Sequence, residues 1–360
     1  MVTLTDIARA AGVSTMTVSN ALRGRANVSE ATRARIVATA EALDYRTNMA
    51  ARALSSGRSN IIEFIVQDLD YPFYGKLANA VSRAADRRGM QTLVRQSLYS
   101  AESEKSAVDV TNSVFCDGLI LATPQISADE ARRLAKHKPI VLIDDCSAAP
   151  QLSTVNTPNR EGSRQAVAHL LASGVRRLLM LGADGNMAQS APMPSPTSPM
   201  ALASLPETVG GLRTLGAMEA VREAGLGDVQ VMFHPIDWTY DQARRAMIEL
   251  FDAGTTFDGV FAMSDVVALG AIRGLADVGL SVPGNVKVAG FDGTTFGEVS
   301  VPSLTTVDID MEAMADIIVS RLMAQIETSH TGAGSGNSLN VSASTTDVAP
   351  FRLTIRESTR

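Results

Sequence analysis

Cysteines and aromatic residues are scarce in this sequence. Its 360 residues include two cysteines, Cys116 and Cys146, and aromatic residues make up 4% of the chain, with a single tryptophan. Both cysteines stand in segments of buried character, so neither a disulfide framework nor a zinc cluster is implied. No apolar run approaches the roughly 20 residues of a membrane-spanning helix, and the N-terminus lacks a basic patch followed by an apolar stretch. We therefore expect a cytoplasmic protein that is neither exported nor anchored in a membrane.

The usual signatures of catalysis are also missing. The sequence contains no P-loop, no GxGxxG fingerprint and no GxSxG elbow. The four histidines are scattered without metal-ligand spacing, and none is close in sequence to a candidate nucleophile: His137, His169, His234 and His330. We expect no enzymatic activity, no cofactor and no metal site.

Lysine is absent from the first 60 residues, which contain eight arginines and four acidic residues, a net charge of +4. Since the whole chain carries −6, the remaining 300 residues carry −10. A basic segment on an acidic body is the charge distribution of a nucleic-acid-binding module joined to a different kind of domain. The length predicts two or three folded units.

Residues 3–24, TLTDIARAAGVSTMTVSNALRG, have the spacing of two short helices. The first is predicted between an N-cap at Thr3 and a stop at Gly12, and the second runs from Ser14 to about Leu22. A third helix is predicted after a cap at Ser29. The inward-facing positions follow from the apolar periodicity: Leu4, Ile7, Ala8, Ala11, Val18, Ala21, Leu22, Ile36, Ala40 and Leu43. Two helices joined by three residues with glycine in the turn predict a helix-turn-helix, whose second helix enters the major groove of DNA.

The outward face of the second helix supports this interpretation. Thr15, Met16 and Asn20 lie there without a charge among them, and such side chains suit base edges, because Thr and Met contact thymine methyl groups and Asn pairs with adenine. Four hydroxyl groups are available for phosphates: those of Thr5, Ser14, Thr17 and Ser19. The alternative is an ordinary helical hairpin packed on a larger domain.

From Asn60 onward, short apolar runs alternate with amphipathic helices. The runs are IIEFIV, QTLVRQ, DGLILAT, PIVLIDD, RRLLMLG, VQVMFHP, DGVFAM and VKVAGFDG. Helices are predicted over 75–88, 159–173, 212–224, 240–252 and 265–278. The alternation predicts parallel sheets with helices on both faces, and two sets of about four strands predict two similar lobes.

Ligands of such sheets bind beyond the carboxyl ends of the strands. Polar residues follow several of the apolar runs at this position: Asp68, Thr123, Gln125, Asp144, Asp145, Ser264, Asp265 and Asp292. A single Asp there is often a helix cap, but convergence of several at one edge favours a binding site. Phe73, Tyr74 and Trp238 add flat apolar faces, and Arg213 could donate to hydroxyls or a carboxylate, although it could equally be a surface arginine. Stacking with hydrogen bonding suits a sugar or a nucleobase.

Residues 2–57 resemble the DNA-binding head of the lactose-repressor (LacI/GalR) family of bacterial transcription regulators. The matching runs are VTLTDIARAAGVSTMTVSNALRG and VSEATRARIVATAEALDYRTNMAARALSSG. The resemblance implies that Thr15, Met16 and Asn20 read bases. It also implies a hinge helix at 48–55 that contacts DNA through Asn48, Ala51 and Leu54, with Leu54 as a minor-groove lever. Thr47 stands where the family usually has proline, which predicts a less rigid entry to the hinge.

The remaining sequence resembles the periplasmic-binding-protein-like core of the same family. Motifs that carry this resemblance include DYPFYGKLANAVSRAADRRG, NREGSRQAVAHLLASGVRRLLMLG, FDGVFAMSDVVALGAIRGLADVGLSVPGNVKVAGFDG and LTIREST. By position, the family's effector-contacting sites fall on Phe73, Tyr74, Asp144, Arg213, Trp238, Asp265 and Asp292. Ser264, Gly293 and Pro158 depart from the family's usual Asn, Asp and Asp, which bears on the ligand rather than on the fold.

The predicted fold is a small all-α helix-turn-helix head followed by an α/β two-lobed core. The predicted boundaries are a head at 1–46, a hinge at 47–57 and a core at 58–360. Lobe one is expected at about 58–157 and 292–326, and lobe two at about 158–291 and 327–360. Two stretches, 184–207 and 328–347, have flexible compositions rich in Pro and Ser or in Gly, Ser and Thr.

The resemblance implies a sequence-specific DNA-binding regulator, a repressor of carbohydrate uptake or catabolism genes. Such a protein binds a palindromic operator in double-stranded DNA as a homodimer and is controlled by a sugar in the inter-lobe cleft. It would reside in the cytoplasm, associated with the nucleoid. A nucleoside or nucleobase effector is the alternative. A periplasmic solute receptor would need a signal peptide and would have no use for the basic head.

Overall fold

The computed structural model describes residues 2–22, 27–45, 58–100, 102–106, 116–123, 125–145, 152–183, 207–331 and 345–360. The chain divides into two compact units, Met1–Ser59 and Asn60–Arg360. The predicted hinge at 47–57, with Asn48, Ala51 and Leu54, lies outside the described residues. Cys146 and most of the predicted stretches at 184–207 and 328–347 lie outside them as well.

The described residues of the first unit form three helices: α1 (Leu4–Ala11), α2 (Thr15–Leu22) and α3 (Glu30–Ala42). The side chain of Thr3 caps α1, and Gly12 ends it in the left-handed region with φ 66°. Ile7, Val18 and Ile36, one from each helix, have fully buried side chains in a shared core. The predicted helix-turn-helix is therefore present. Leu22 differs from its predicted inward position and is 37% exposed, since it is the last residue of α2.

Where the structure describes it, the second unit contains two six-stranded sheets. Its strands are β1 (Ile61–Val66), β2 (Gln91–Gln96), β3 (Gly118–Ala122), β4 (Ile140–Ile143), β5 (Thr154–Asn156), β6 (Arg177–Leu181), β7 (Gln230–His234), β8 (Gly259–Ala262), β9 (Lys287–Asp292), β10 (Thr305–Ile309), β11 (Thr346–Val348) and β12 (Phe351–Thr354). Its helices include α4 (Pro72–Asp86), α5 (Ala128–Ala135), α6 (Asn159–Ala172), α7 (Val209–Ala224), α8 (Tyr240–Asp252), α9 (Asp265–Asp277), α10 (Thr295–Val299) and α11 (Met311–Thr331).

Each sheet is the centre of one lobe. The first has the order β11-β5-β4-β3-β1-β2 and the second the order β12-β10-β9-β8-β6-β7. All neighbouring strands of the first sheet are parallel. In the second sheet, β12 runs antiparallel to β10, so this sheet is mixed at one edge rather than purely parallel as predicted.

The chain crosses between the sheets after β5, after β10 and after β11. The predicted lobe allocation differs from this path at two places. Residues 292–309 belong with the second sheet, where β10 pairs with β9, and β11 belongs to the first sheet, where it pairs with β5. The sequence of a short strand indicates burial but not the neighbouring strand, so these allocations could not be read from the pattern.

Two glycines allow elements of the second lobe to approach closely. A Cβ on Gly216 of α7 would lie 1.8 Å from the carbonyl oxygen of Arg160 in α6. A Cβ on Gly162 of α6 would lie 2.7 Å from Val307 Cγ1 on β10. Since real Cβ atoms do not approach backbone oxygens this closely, the contact between α6 and α7 depends on glycine at position 216.

The last residues are built into the second lobe. Glu357–Thr359 form a 3₁₀ turn whose Ser358 and Thr359 are buried. The Ser358 hydroxyl donates to the Val288 carbonyl at 2.6 Å and accepts from the Thr305 amide at 2.8 Å. The Ser358 side chain therefore joins the central strands β9 and β10.

Candidate effector cleft and DNA-binding surface

A cavity of about 900 Å³ lies between the lobes, at the carboxyl ends of their strands. The first lobe contributes Asp68 after β1, Thr123 after β3 and Asp144 after β4, and the second contributes Asp292 at the end of β9. The structure thus brings together strand-end residues that are far apart in sequence. Phe73, Tyr74, Arg213 and Trp238, which were predicted with them, also line the cavity.

Aromatic side chains form much of the cavity wall: Tyr71, Phe73, Tyr74, Tyr99, Trp238, Tyr240 and Phe296. The rings of Phe73 and Tyr74 pack edge to face with their centroids 5.3 Å apart. Trp238 Nε1 donates to the Gly182 carbonyl at 2.8 Å, which fixes the indole ring. Rigid aromatic faces beside hydroxyl groups suit a ligand that has both apolar and polar surfaces.

Arg213 of α7 is 4% exposed in its side chain and holds several groups of the cavity wall in place. Its Nε donates to Asn159 Oδ1 at 2.8 Å, and its Nη1 donates to the Met263 carbonyl. Its Nη2 donates to Asp292 Oδ1 at 3.4 Å, and its guanidinium carbon lies 5.2 Å from the centre of the Trp238 ring. The surface-arginine alternative is thereby excluded.

Asp144 continues this network into the first lobe. Its backbone is left-handed, with φ 52°, and its Oδ1 accepts from the Thr157 amide at 2.7 Å and from Asn159 Nδ2 at 3.2 Å. Asn159 begins α6 and therefore links Asp144 to Arg213. Strained backbone at a residue held by several hydrogen bonds is common at binding sites.

The two lobes also meet on the other side of the cavity. Tyr71, which precedes α4, donates its hydroxyl to Asp292 Oδ2 at 3.4 Å. Lys76 of α4 donates from Nζ to the Gly293 carbonyl at 2.5 Å. We call the series Asp144, Asn159, Arg213, Asp292 and Tyr71 the polar bridge, since it begins and ends in the first lobe and passes through the second.

Burial changes the acidity of groups in and behind the wall. Burial raises the pKa of Asp292 to about 8; Arg213 opposes this shift, whereas Asp265 and Asp144 add to it. Burial also raises the pKa of Asp144. Burial also raises the pKa of Tyr74 well above the usual tyrosine value. The bridge therefore holds buried carboxylates close to one another around a single guanidinium.

Two predicted effector residues do not line the cavity. Asp265 has no solvent exposure; its Oδ2 accepts from the Thr294 amide at 2.6 Å and its Oδ1 from the Thr306 hydroxyl at 2.6 Å. Its two carboxylate oxygens thus join the start of α9 to the segment that follows β9 and to strand β10. Gln125 is exposed; its backbone amide donates to Glu104 Oε2 at 3.0 Å, and its side-chain amide donates to the Thr123 carbonyl at 3.2 Å. Both predictions relied on strand-end position, which does not specify side-chain direction.

Several lining residues were not singled out from the sequence, among them Tyr71, Tyr99, Tyr240, Asp237 and Phe296. Tyr71 falls within the strand-end segment 68–74, so the signal was present. Tyr99 lies three residues beyond the end of β2, outside the strand-end positions predicted to bind a ligand. Asp237 precedes Trp238 and Tyr240 begins α8 two residues after it, and the side of this turn that faces the cleft has no sequence signature.

In the first unit, the outward face of α2 carries the predicted base-reading residues. Met16 is 69% exposed and Thr15 is exposed, whereas Asn20 is half-buried. Thr5 is exposed on α1, and Ser19 is half-buried. The hydroxyls of Ser14 and Thr17 lie 2.8 Å apart, and Ser14 Oγ also accepts from the Thr17 amide at 3.1 Å. The Ser14 hydroxyl therefore caps α2, and the Thr17 hydroxyl is bonded to it.

The fold is a helix-turn-helix unit together with a two-lobed, periplasmic-binding-protein-like unit. A model of bacterial regulatory proteins of the lacI family matches residues 3–48, and a model of the periplasmic binding protein-like domain matches residues 167–359, more than half of the chain. The chain belongs to the LacI family of bacterial regulatory proteins.

Relatives match along most of the chain. The ribose operon repressor of Halalkalibacterium halodurans is 28% identical over 327 residues, which are 91% of this chain and 91% of that protein. The structure of a LacI-family transcriptional regulator from Sanguibacter keddieii is 31% identical, with a TM-score of 0.66, and the match covers 83% of this chain and 98% of that one. The structure of the transcriptional regulator CelR in complex with cellobiose is 26% identical, with a TM-score of 0.65, and covers 99% of this chain and 100% of that one.

These matches establish the general function. The chain is a DNA-binding transcriptional regulator, and its membership in a family of regulators confirms the expectation that it is not an enzyme. In the described part of the chain, no helix combines the length and apolarity that crossing a bilayer requires.

Proposed function

We propose that this regulator is a repressor that binds a palindromic operator as a homodimer and is controlled by a sugar in the cleft between its lobes. The observation that carries the proposal is the cavity of about 900 Å³ lined by aromatic faces and polar groups from both lobes. Its size is in the range of sites that enclose small molecules.

The lining supports a sugar as the ligand. Sugar rings present C–H faces that pack on aromatic rings and hydroxyls that need donors and acceptors. Trp238 and Tyr71 offer faces, while Thr123, Asp68 and Asp292 offer polar atoms. One relative is named a ribose operon repressor and another was determined with cellobiose. A nucleoside could stack on the same rings and is therefore included in the test.

The outward face of α2 supports operator recognition. Thr15, Met16 and Asn20 combine apolar contact with amide hydrogen bonding, which is the chemistry of base edges in the major groove. A single small head neutralises few phosphates, so two heads held in one dimer bind far more tightly than one. We propose that Thr5 and Ser19 contact the backbone, and that the hinge at 47–57 places Leu54 in the minor groove.

The polar bridge supports control of the lobes by a ligand. Asp292 contacts Tyr71 of the first lobe and Arg213 of the second. A ligand that binds among these groups contacts both lobes. It therefore changes the relative free energies of the arrangements that the two lobes can adopt. Coupling of about 1 to 3 kcal/mol is typical of such switches.

The effector is tested by a thermal shift screen of the full chain against neutral sugars and nucleosides. A ligand that binds the folded state raises the melting temperature, and Trp238 fluorescence should respond because the indole lines the cleft. Asp292→Ala should abolish both effects, whereas Asp252→Ala, at the exposed far end of α8, should retain them. A ligand that acts equally on wild type and Asp292→Ala would place the site elsewhere.

Operator binding is tested by selecting duplexes from a random library with the full chain and measuring affinity at several salt concentrations. We expect a selected palindrome, a steep loss of affinity with salt and a change in affinity when the screened sugar is added. Absence of salt-sensitive binding to any selected duplex would overturn the proposal.

A further inference from the structure

The charged side chains that line the cleft are almost all acidic. Five carboxylates stand against one guanidinium, a formal charge of −4: Asp68, Asp70, Asp144, Asp237, Asp292 and Arg213. Asp70 and Asp237 are exposed at the mouth, and Asp68 is half-buried. A ligand approaching from solvent therefore meets carboxylates first.

The only cation that lines the cavity in the described part of the chain is already bonded to other groups of the protein. Arg213 is 4% exposed, and it donates to Asn159, to the Met263 carbonyl and to Asp292. Its guanidinium also stacks 3.6 Å from the centre of the Phe291 ring. It is thus a part of the wall and is poorly placed to clamp a phosphate, which needs an open, bidentate approach.

Residues 60–360 offer no second cation for this site, counting the described side chains and the sequence of the rest. Among the described residues, no other lysine or arginine lines the cavity. The residues of 60–360 that the structure does not describe contain no lysine and no arginine in their sequence. Lys76, on α4, donates to the Gly293 carbonyl and lines a different cavity. An anionic ligand would therefore lack a counter-charge.

Helix dipoles are too weak to reverse this balance. Five helices begin at or beside lining residues: α4 at Pro72, α7 at Val209, α8 at Tyr240, α9 next to Val266 and α10 after its N-cap Thr294. Each N-terminus contributes at most roughly half a positive charge, about +2.5 together, against the formal −4. Protonation of one buried carboxylate would still leave the cleft negative.

We propose that the cleft selects uncharged polyhydroxylated ligands and excludes their anionic derivatives, namely sugar phosphates and sugar acids. This proposal rests on the proposed function, since it specifies the chemical class of the effector. A phosphoryl group brings up to two further negative charges into a site whose carboxylates already repel one another, and the low dielectric of the cleft strengthens that repulsion.

The first test compares each neutral sugar with its own anionic derivatives, using the full chain and thermal shift. Suitable sets are ribose with ribose 5-phosphate, glucose with glucose 6-phosphate and gluconate, and galactose with galacturonate. For any sugar that raises the melting temperature, the anionic partners should bind at least tenfold more weakly. An anionic derivative that binds as well as or better than its parent overturns the proposal.

The second test measures the charge of the cleft without any sugar. Trp238 is the single tryptophan of the chain and lines the cleft, so quenching of its fluorescence reports access of ions. Normalised to neutral acrylamide and to free N-acetyltryptophanamide, caesium should quench more strongly than iodide. Asp68→Asn with Asp237→Asn should increase iodide quenching, on the order of twofold for each charge removed. Asp252→Asn changes a carboxylate at the far end of α8, about 20 Å from the cleft end of that helix, and should leave iodide quenching unchanged.

The two tests fail in distinguishable ways. If no sugar of either kind raises the melting temperature, the proposed effector class is wrong, and the quenching result decides the charge of the cleft separately. If iodide quenches as well as caesium, the exclusion of anions is wrong even when a sugar binds.

Discussion

The hydroxyl of Tyr71 and the carboxylate of Asp292 meet across the boundary between the lobes, 3.4 Å apart. Asp292 also contacts Arg213, which contacts Asn159, which in turn contacts Asp144 of the first lobe. The lobes are therefore joined at both ends of one hydrogen-bonded series. A ligand that replaces any of these contacts changes the free energy of the whole arrangement of lobes.

Asn159 should be critical to this series although it does not line the cleft. Asn159→Ala removes a partner of Asp144 and a partner of Arg213, both buried. Loss of hydrogen bonds to buried charged groups costs about 1.5 to 3 kcal/mol each. We expect a urea midpoint clearly below that of wild type, and a smaller effect for Asn79→Ala, an exposed asparagine on α4. Equal effects of the two changes would contradict the role assigned to Asn159.

Asp292 should make the core less stable as pH rises. Its pKa is about 8 in the folded protein against an ordinary value of 3.8, so between these limits the folded state binds more protons than the unfolded state. Stability contributed by the protonated group is complete at low pH and is lost as pH approaches 8. The free energy of unfolding of wild type, relative to Asp292→Asn, should fall by on the order of 1 kcal/mol per pH unit.

Urea titrations of both proteins at pH 5, 6, 7 and 8 measure this difference. Asp252→Asn, which changes an exposed carboxylate, is the control and should differ from wild type by a constant amount. A constant difference for Asp292→Asn would show that its carboxyl group is already ionised at pH 5.

Gly216→Ala should destabilise the second lobe strongly. The new Cβ would lie 1.8 Å from the Arg160 carbonyl oxygen, so α6 and α7 must move apart. Overpacking of this kind typically costs about 1 to 3 kcal/mol and can cost more. Gly227→Ala is the matched control, because no atom lies within 4 Å of its Cβ position. Thermal melts that show the same midpoint for both variants would refute the close contact.

Met16 and Asn20 should determine operator preference. Asn20→Ala should reduce discrimination at one base pair of each half-site by about 1 to 3 kcal/mol, since a bidentate contact to a base is lost. Met16→Ala should relax the preference at a neighbouring position. Val37→Ala on α3 removes an apolar side chain that is 38% exposed outside the recognition helix, and its selected sequences should match those of wild type. Unchanged preferences in all three variants would contradict recognition by α2.

Local patterns predicted local elements well. IIEFIV and QTLVRQ form β1 and β2 over the predicted residues, and the helix predicted at 240–252 is α8. The apolar spacing of residues 4–22 likewise predicted α1 and α2, since Thr3 and Gly12 provide unambiguous capping signals. These features depend on contacts within a few residues, which a sequence window contains.

The crossings between the sheets and the contacts of the site depend on residues that are far apart in the chain, so local sequence patterns could not predict them. Strands β5 and β11 have three residues each, too few for a periodic signal, and they pair across a large separation in the chain. The same limit applies to Gln125 and Asp265, whose strand-end positions follow from the sequence although neither residue lines the cavity. Asn159 was considered as the start of a helix, and its bridging role depends on Asp144 and Arg213 being adjacent in space.

The three crossings have a consequence for synthesis of the protein. The first sheet receives its edge strand from residues 346–348 and the second from residues 351–354. A ribosome that has made residues 1–300 has therefore exposed a finished helix-turn-helix but no finished lobe. Nascent or prematurely terminated chains would carry the helix-turn-helix without two complete sheets, so translation must pass residue 354 before both sheets have all their described strands.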